Sequence, residues 1–207
     1  MYPSRKSKLI FQFFSWYSAY IIKKDFSSYT YDRLEVKEDE AILLLANHFS
    51  WWDGFLMFQL NKVVFKKEFH VLVSEEDYQR RWYLKYLGAF ASKVKGKDVV
   101  KTLAYAGQLL DDPQNLVLFF PQGKLYTSYV SNISFEKGVM QLINASKKKF
   151  QVVFSATLTD YFDKRKPMAK SYLCTWMAEE YISLQLLKRE YNKHYNEAIH
   201  QQSKKSA

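Results

Sequence analysis

Short unbroken apolar runs alternate along this chain with longer segments whose apolar residues recur every three or four positions. The runs at 42–45, 69–74, 115–120, 151–158 and 169–176 read as strands buried on both faces. Segments 53–66, 98–110 and 135–148 read as helices, as does a long C-terminal stretch with Ile182, Leu186, Tyr191 and Ile199 as its apolar positions. In the helix at 98–110, Asp98 stands as N-cap, Val99, Leu103, Ala106 and Leu110 share one face, and Asp112 with Pro113 marks the end. Segment 23–40 is polar and reads as partly extended. Strands alternating with helices of this length predict an α/β fold with a largely parallel sheet. No repeat, low-complexity stretch or linker divides it.

The first apolar segment, 9–22, does not fit that alternation. As a helix it rises only about 21 Å, against a hydrocarbon core of about 30 Å, so it is too short to span a bilayer. On a helical wheel Arg5, Lys8, Gln12, Ser15, Ser18 and Lys23 form one narrow polar stripe, and Phe11, Phe13, Phe14, Trp16, Tyr17, Tyr20 and Ile21 fill the rest. Two readings are open: a helix lying in a membrane interface with cations at both ends, or one whose wide apolar face packs on its own domain. The division expected is residues 1–24 as an N-terminal amphipathic, membrane-associating helix and residues 25–207 as the second unit.

Charge narrows the partners. The chain carries a net charge of +10 at pH 7, which favours nucleic acid, an anionic bilayer or phosphorylated substrates. Its basic residues are scattered in small clusters, among them Arg80, Arg81 and Lys85, and no nucleic-acid signature accompanies them, so a nucleic-acid partner is not expected. The single cysteine, Cys174, allows no intramolecular disulfide and leaves a Cys-based metal site short of ligands. No cleavable signal pattern follows the first apolar segment. The expected location is a peripheral one, on the cytoplasmic side of a membrane.

The strand at 42–45 leads into Asn47, His48 and, five residues after the histidine, Asp53. On a regular helix His48 and Asp53 would stand about 140° apart. At a strand exit they can meet if a turn folds the chain before a helix begins at Asp53. The carboxylate would then fix one ring nitrogen and leave the other as a general base; alternatively the histidine only packs at a core edge and Asp53 caps the helix. His70 and Glu75 share the spacing but lie in a strand pattern with no other signal. Markers of a serine hydrolase, zinc protease, P-loop or dinucleotide site are missing. A direct transfer, in which the base deprotonates an acceptor for attack on an activated acyl carbonyl, fits better.

The sequence "NHFSWWD" resembles the catalytic motif of the lysophospholipid and glycerol-phosphate acyltransferase superfamily, an Asn-His pair, four residues and an Asp. "FPQGK" resembles its Phe-Pro-Glu-Gly motif, and "LGAFASKVKGKD" the glycine-to-arginine motif between them. The resemblance covers about residues 40–160. It implies a mixed, largely parallel central sheet flanked by helices, glycerol-phosphate-acyltransferase-like, with His48 as base and Asp53 as its orienting partner. It further implies Lys93, Lys95, Gln122, Gly123 and Lys124 as substrate-binding positions, and no metal or cofactor beyond the acyl donor.

Here Gln122 stands for the usual Glu, Leu125 for the usual Arg, and Lys93 or Lys95 for the arginine of the middle motif. A lysine orients a phosphate less firmly than a guanidinium fork. The function expected is transfer of a fatty acyl group from acyl-CoA or acyl-carrier protein to a hydroxyl or amine of a lysolipid-type acceptor, with Trp51, Trp52, Phe55 and Phe58 as candidates to line the acyl groove. The alternative is a catalytically inactive protein of the same fold that binds lipid or acyl carrier.

Overall fold

The computed structural model describes residues 1–93, 97–177 and 181–205, the side chain of Lys97 excepted. Seven strands, β1 (Ser28–Tyr31), β2 (Ala41–Ala46), β3 (Glu68–Val73), β4 (Ala89–Ala91), β5 (Asn115–Phe119), β6 (Phe150–Asp160) and β7 (Met168–Trp176), form one sheet in the order β1-β7-β6-β2-β5-β3-β4. Every pairing is parallel except the β6–β7 hairpin. The sheet is thus mixed and largely parallel, as expected. The helices are α1 (Lys8–Asp25), α2 (Asp53–Leu60), α3 (Glu75–Arg80), α4 (Lys97–Leu109), α5 (Gly138–Ala145) and α6 (Leu184–Ser203).

The central strand explains the layering. All six residues of β2 are buried, because Ile42, Leu44 and Ala46 face a core shared with α1 and α2, while Ala41, Leu43 and Leu45 face one shared with α4, α5 and α6. Each fully buried leucine contributes about 1.5–3 kcal/mol. The unbroken apolar run is therefore a strand covered by helices on both sides. Strands β2, β3 and β5 end on the same side, and the loops that follow them meet there.

Several elements depart from the sequence reading. The helix after His48 ends at Leu60 and continues as a π-turn, Asn61–Phe65, closed by Lys66 in a left-handed conformation with φ 55°. The short elements β1, β4 and α3 and the 3₁₀ turn Leu84–Leu87 were not expected as such. Gly88 ends that 3₁₀ turn with φ 91°, and a Cβ there would lie 1.8 Å from the Phe69 carbonyl oxygen, so only glycine lets β4 dock beside β3. Asp98 sits inside the first turn of α4 rather than capping it. Leu103, Ala106 and Leu110 are buried as expected, but Val99 is exposed.

Helix α1 packs on its own domain through a narrow face and leaves most of its aromatic residues outside. Ser15 and Ser18 are buried together with Ile21 and Ile22, while Leu9, Phe13, Trp16, Tyr17 and Tyr20 are exposed. The small serines let α1 lie close over α2 and the 3₁₀ turn, and Phe11 and Phe14 flank the contact against Phe58 and Tyr83. The Ser18 hydroxyl, fully buried, donates to the carbonyl of Ser15 within its own helix. The serine stripe is thus the inner face, and most of the aromatic face is left outside. Among the described residues no helix is long and apolar enough to cross a membrane.

Candidate active site

Asn47 fixes the place where β2 ends. Its side-chain amide donates to the Thr157 carbonyl at 2.9 Å and accepts from the Thr157 N–H at 2.7 Å, continuing the β2–β6 ladder by one step with a side chain. The backbone is then free to turn at His48. That residue is held by the loop after β5: its N–H donates to Gln122 Oε1 at 2.6 Å, and its carbonyl accepts from the Tyr126 N–H at 3.1 Å. The imidazole stacks on Phe120, ring centres 4.1 Å apart.

The loop places the carboxylate of Asp53, at the start of α2, against the ring, with His48 Nδ1 3.1 Å from Asp53 Oδ2. Asp53 is 5 % exposed and also accepts from the N–H groups of Phe49 and Ser50, at 2.6 and 2.8 Å, and from Ser50 Oγ at 2.9 Å. Four donors on one carboxylate fix its position and orientation. A carboxylate accepts only, so Nδ1 carries the proton toward Asp53 and Nε2 keeps its lone pair. The His48 side chain is 25 % exposed and opens into a cavity. His70, by contrast, is buried with Nε2 3.2 Å from Asn115 Oδ1 and has no such carboxylate contact.

The cavity has a volume of about 710 Å³. Trp51, Phe55, Phe58, Phe69, Val71 and Leu87 make it mostly apolar, and Arg81, Lys124, Glu75 and Asp77 supply charges of both signs. Gly123, with φ 68°, closes a turn in which its N–H donates to the Phe120 carbonyl at 3.1 Å, and both Gly123 and Lys124 line the cavity.

Gln122 and Lys93 do not line this cavity. Gln122 is 1 % exposed and sits beneath the loop rather than in the cavity; its Oε1 serves the backbone of His48. Lys93 holds its ammonium over the Tyr2 ring, 5.2 Å from the centroid, outside the cavity lining. Lys95 lies outside the described residues. Trp52 turns away to pack edge-on against Phe26. Arg81 is the group that sequence reasoning left as one member of a surface basic cluster: its Nη1 pairs with Asp77 Oδ1 at 2.6 Å, and its guanidinium lies over Trp51, 5.6 Å from the centroid. Nothing in the sequence joins residue 81 to residue 51. Behind the site Tyr191 is buried and Tyr29 half-buried, and loss of solvent around each ring pushes both phenols well up, which withdraws them as acids. Among the described residues no cluster of three His, Cys, Asp or Glu side chains is placed to hold a metal ion.

A histidine oriented by a carboxylate suits a base that activates an acceptor for direct transfer, and a cavity walled by rings and branched aliphatic chains suits a hydrocarbon; together they point to the acyltransferase class. Residues 29–156, more than half of the chain, match the family model described as Acyltransferase, and the chain belongs to that family of enzymes. Its structure is similar to the crystal structure of the 1-acyl-sn-glycerophosphate (LPA) acyltransferase PlsC from Thermotoga maritima, with a TM-score of 0.67 and 14 % identity over 95 % of this chain and 81 % of that one. At that identity the likeness is one of fold. No curated protein matches the sequence.

Proposed function

We propose that this acyltransferase moves a fatty acyl group from a CoA or acyl-carrier-protein thioester to a hydroxyl or amine of a lysolipid-type acceptor, at the cytoplasmic face of a membrane. The observation that carries the reading is the His48–Asp53 pair opening into a 710 Å³ apolar cavity. The acyl chain lies along Phe55, Phe58 and Val71, where each buried methylene contributes about 0.8 kcal/mol. The acceptor O–H meets His48 Nε2. The imidazole takes the proton as the oxygen attacks the thioester carbonyl. The tetrahedral intermediate then collapses, the C–S bond breaks, and the departing thiolate receives the proton from the imidazolium. Asp53 stabilises that imidazolium through Nδ1 and keeps the ring from turning.

Arg81 and Lys124 are the cations of the lining, and Arg81 already faces the carboxylate of Asp77. A mouth with both signs present suits a zwitterionic or amino-acid headgroup better than a bare phosphate monoester, whose second negative charge would meet Asp77. The basic, aromatic exterior of α1 supports the membrane location.

One assay tests the reading, with lysophosphatidic acid and a zwitterionic lysolipid as parallel acceptors. The unaltered enzyme should prefer the zwitterionic acceptor. His48→Ala should lower turnover of both by about 10²- to 10⁴-fold, and Asp53→Asn should remove much of the rate. Full turnover in His48→Ala would discard the base; a clear preference for lysophosphatidic acid would discard the headgroup assignment alone.

A further inference from the structure

A second cavity, of about 460 Å³, lies at the other end of β3, between the segment leading into α1, the π-turn after α2 and the first residues of β3. In the sheet register His48 stands level with the residues just past the C-terminal end of β3, whereas this cleft sits at Glu68. The separation along the strand axis is roughly 20 Å at about 3.3 Å per residue. Phe58, Phe69 and Leu87 line both cavities and form the partition between them. The cleft is therefore reached from outside, beyond the far end of the apolar cavity.

Its chemistry is one-sided. Arg5, Lys6, Lys8, Lys62, Lys66 and Lys67 line it, against the single carboxylate of Glu68. Glu68 pairs with Lys6 at 2.7 Å. The ammonium of Lys67 is held by the carbonyls of Glu38, Glu40 and Pro113. Among the described residues Arg5, Lys8, Lys62 and Lys66 have no carboxylate partner.

Two further observations concern the backbone. Helix α1 begins at this cleft with an N-cap, Ser7, that makes no side-chain hydrogen bond, and with no acidic residue in its first turn, so its leading N–H groups and positive dipole end are uncapped. Lys66, at the end of the π-turn, holds φ at 55°, a left-handed conformation that residues other than glycine seldom adopt. Four mutually repelling cations and an uncapped helix end on one concave surface are relieved together by an anion between them.

We propose that this cleft binds the phosphate of an anionic phospholipid headgroup, at a site separate from acyl transfer. The lipid source follows from place and lining. Phe11, Phe58, Phe69 and Leu87 give the cleft an apolar side beside its cations, and the exposed Leu9 of α1 is next in the chain to Lys8. A thioester at His48 with its chain in the apolar cavity leaves its carrier on the opposite side, away from this cleft. The bound phosphate would tie Arg5 and Lys8 on the α1 side to Lys62 and Lys66 on the α2 side. The choice of a lipid rests on the membrane location proposed above; the anion site itself does not.

Vesicle flotation of the full chain tests it, with phosphatidylcholine vesicles and vesicles containing phosphatidylglycerol. The unaltered protein should favour the anionic vesicles. Lys62→Glu with Lys66→Glu should lose roughly tenfold or more of that preference, as should Arg5→Glu with Lys8→Glu. Arg165→Glu with Lys166→Glu, the same charge change on exposed residues of the β6–β7 loop, should lose much less. Equal losses in all three pairs would mean diffuse attraction and overturn the site. Equal binding of the unaltered protein to both vesicles would also overturn it while leaving the membrane location standing, and binding to neither would remove that location and the lipid with it. Inorganic phosphate gives the remaining arm: a Tm rise that needs Lys62 and Lys66, without any vesicle preference, would assign the cleft to a soluble phosphate instead.

Discussion

The imidazole of His48 can meet an acceptor only while its backbone stays where β2 delivers it, and the loop after β5 grips that backbone from both sides. Gln122 is central to the grip. Its Oε1 accepts from the His48 N–H at 2.6 Å, and its Nε2 is buried with no hydrogen-bond partner among the described residues. The oxygen is therefore the atom in use, which a glutamate would supply equally. Gln122→Ala strands the His48 N–H at a cost of about 1–3 kcal/mol. It also frees the ring to drift, and a displacement of about 1 Å can cost on the order of 10²-fold in rate. We expect kcat to fall by about 10- to 10²-fold with KM little changed, and Gln122→Glu to recover most of the loss. Steady-state kinetics of the two variants decide the matter. Equal damage from both would mean that the amide nitrogen, not the oxygen, is what the site requires.

At the scale of elements, helix α1 shows how a pattern can be read correctly while the side it packs stays open. Its serine stripe is as narrow as the sequence suggests, but Ser18 is fully buried and Trp16 is 61 % exposed. Small side chains allow close helix approach, and that packing outweighs the usual rule that polar residues face water. In α6 the shift is smaller: Leu187, Tyr191, Tyr195 and Ala198 are buried while Ile199 is exposed, because the two tyrosines find acceptors for their hydroxyls in the carbonyls of Ser155 and Val130. The strand and helix alternation was legible because each run has to satisfy its own periodicity. So was the meeting of His48 with Asp53, which spans only five residues. Arg81 over Trp51, Gln122 beneath His48 and the outward aromatics of α1 depend on contacts between distant segments, which periodicity does not encode. The last of these has a direct test. Phe13→Ser, Trp16→Ser and Tyr20→Ser together remove exposed rings only, so Tm should stay within a few degrees while vesicle affinity falls by roughly 10²-fold or more. Unchanged flotation would place the membrane-facing surface on another part of the molecule.

For the molecule as a whole, acid should loosen the fold through two histidines remote from the chemistry. Burial pushes the pKa of both His70 and His194 down. Asn115 Nδ2 donates to the Leu109 carbonyl, which leaves Oδ1 as the acceptor for His70 Nε2, and the Tyr172 carbonyl accepts from His194 Nε2. Each Nε2 thus carries the hydrogen of the neutral ring. His70 Nδ1 is buried with no partner among the described residues, so protonation there would place a charge and an unmet donor in the core. The unfolded chain titrates its histidines near 6.5. Above that value both states are neutral and this stability is fully present. As pH falls through about 6.5 the unfolded state takes up protons that the native state resists, so stability declines until the native pKa values are passed. A second effect has the same sign: a chain of net charge +10 repels itself more strongly as its carboxylates protonate. Salt separates the two, because at 1 M the screening length is about 3 Å and surface repulsion is largely removed while buried sites are screened far less. We therefore expect Tm to drop between pH 7.5 and 5.5 even at 1 M salt, and the drop to shrink in His70→Gln with His194→Gln. If the double variant keeps the full slope, or if salt alone abolishes it, the acid response belongs to the surface and the buried histidines have no part in it.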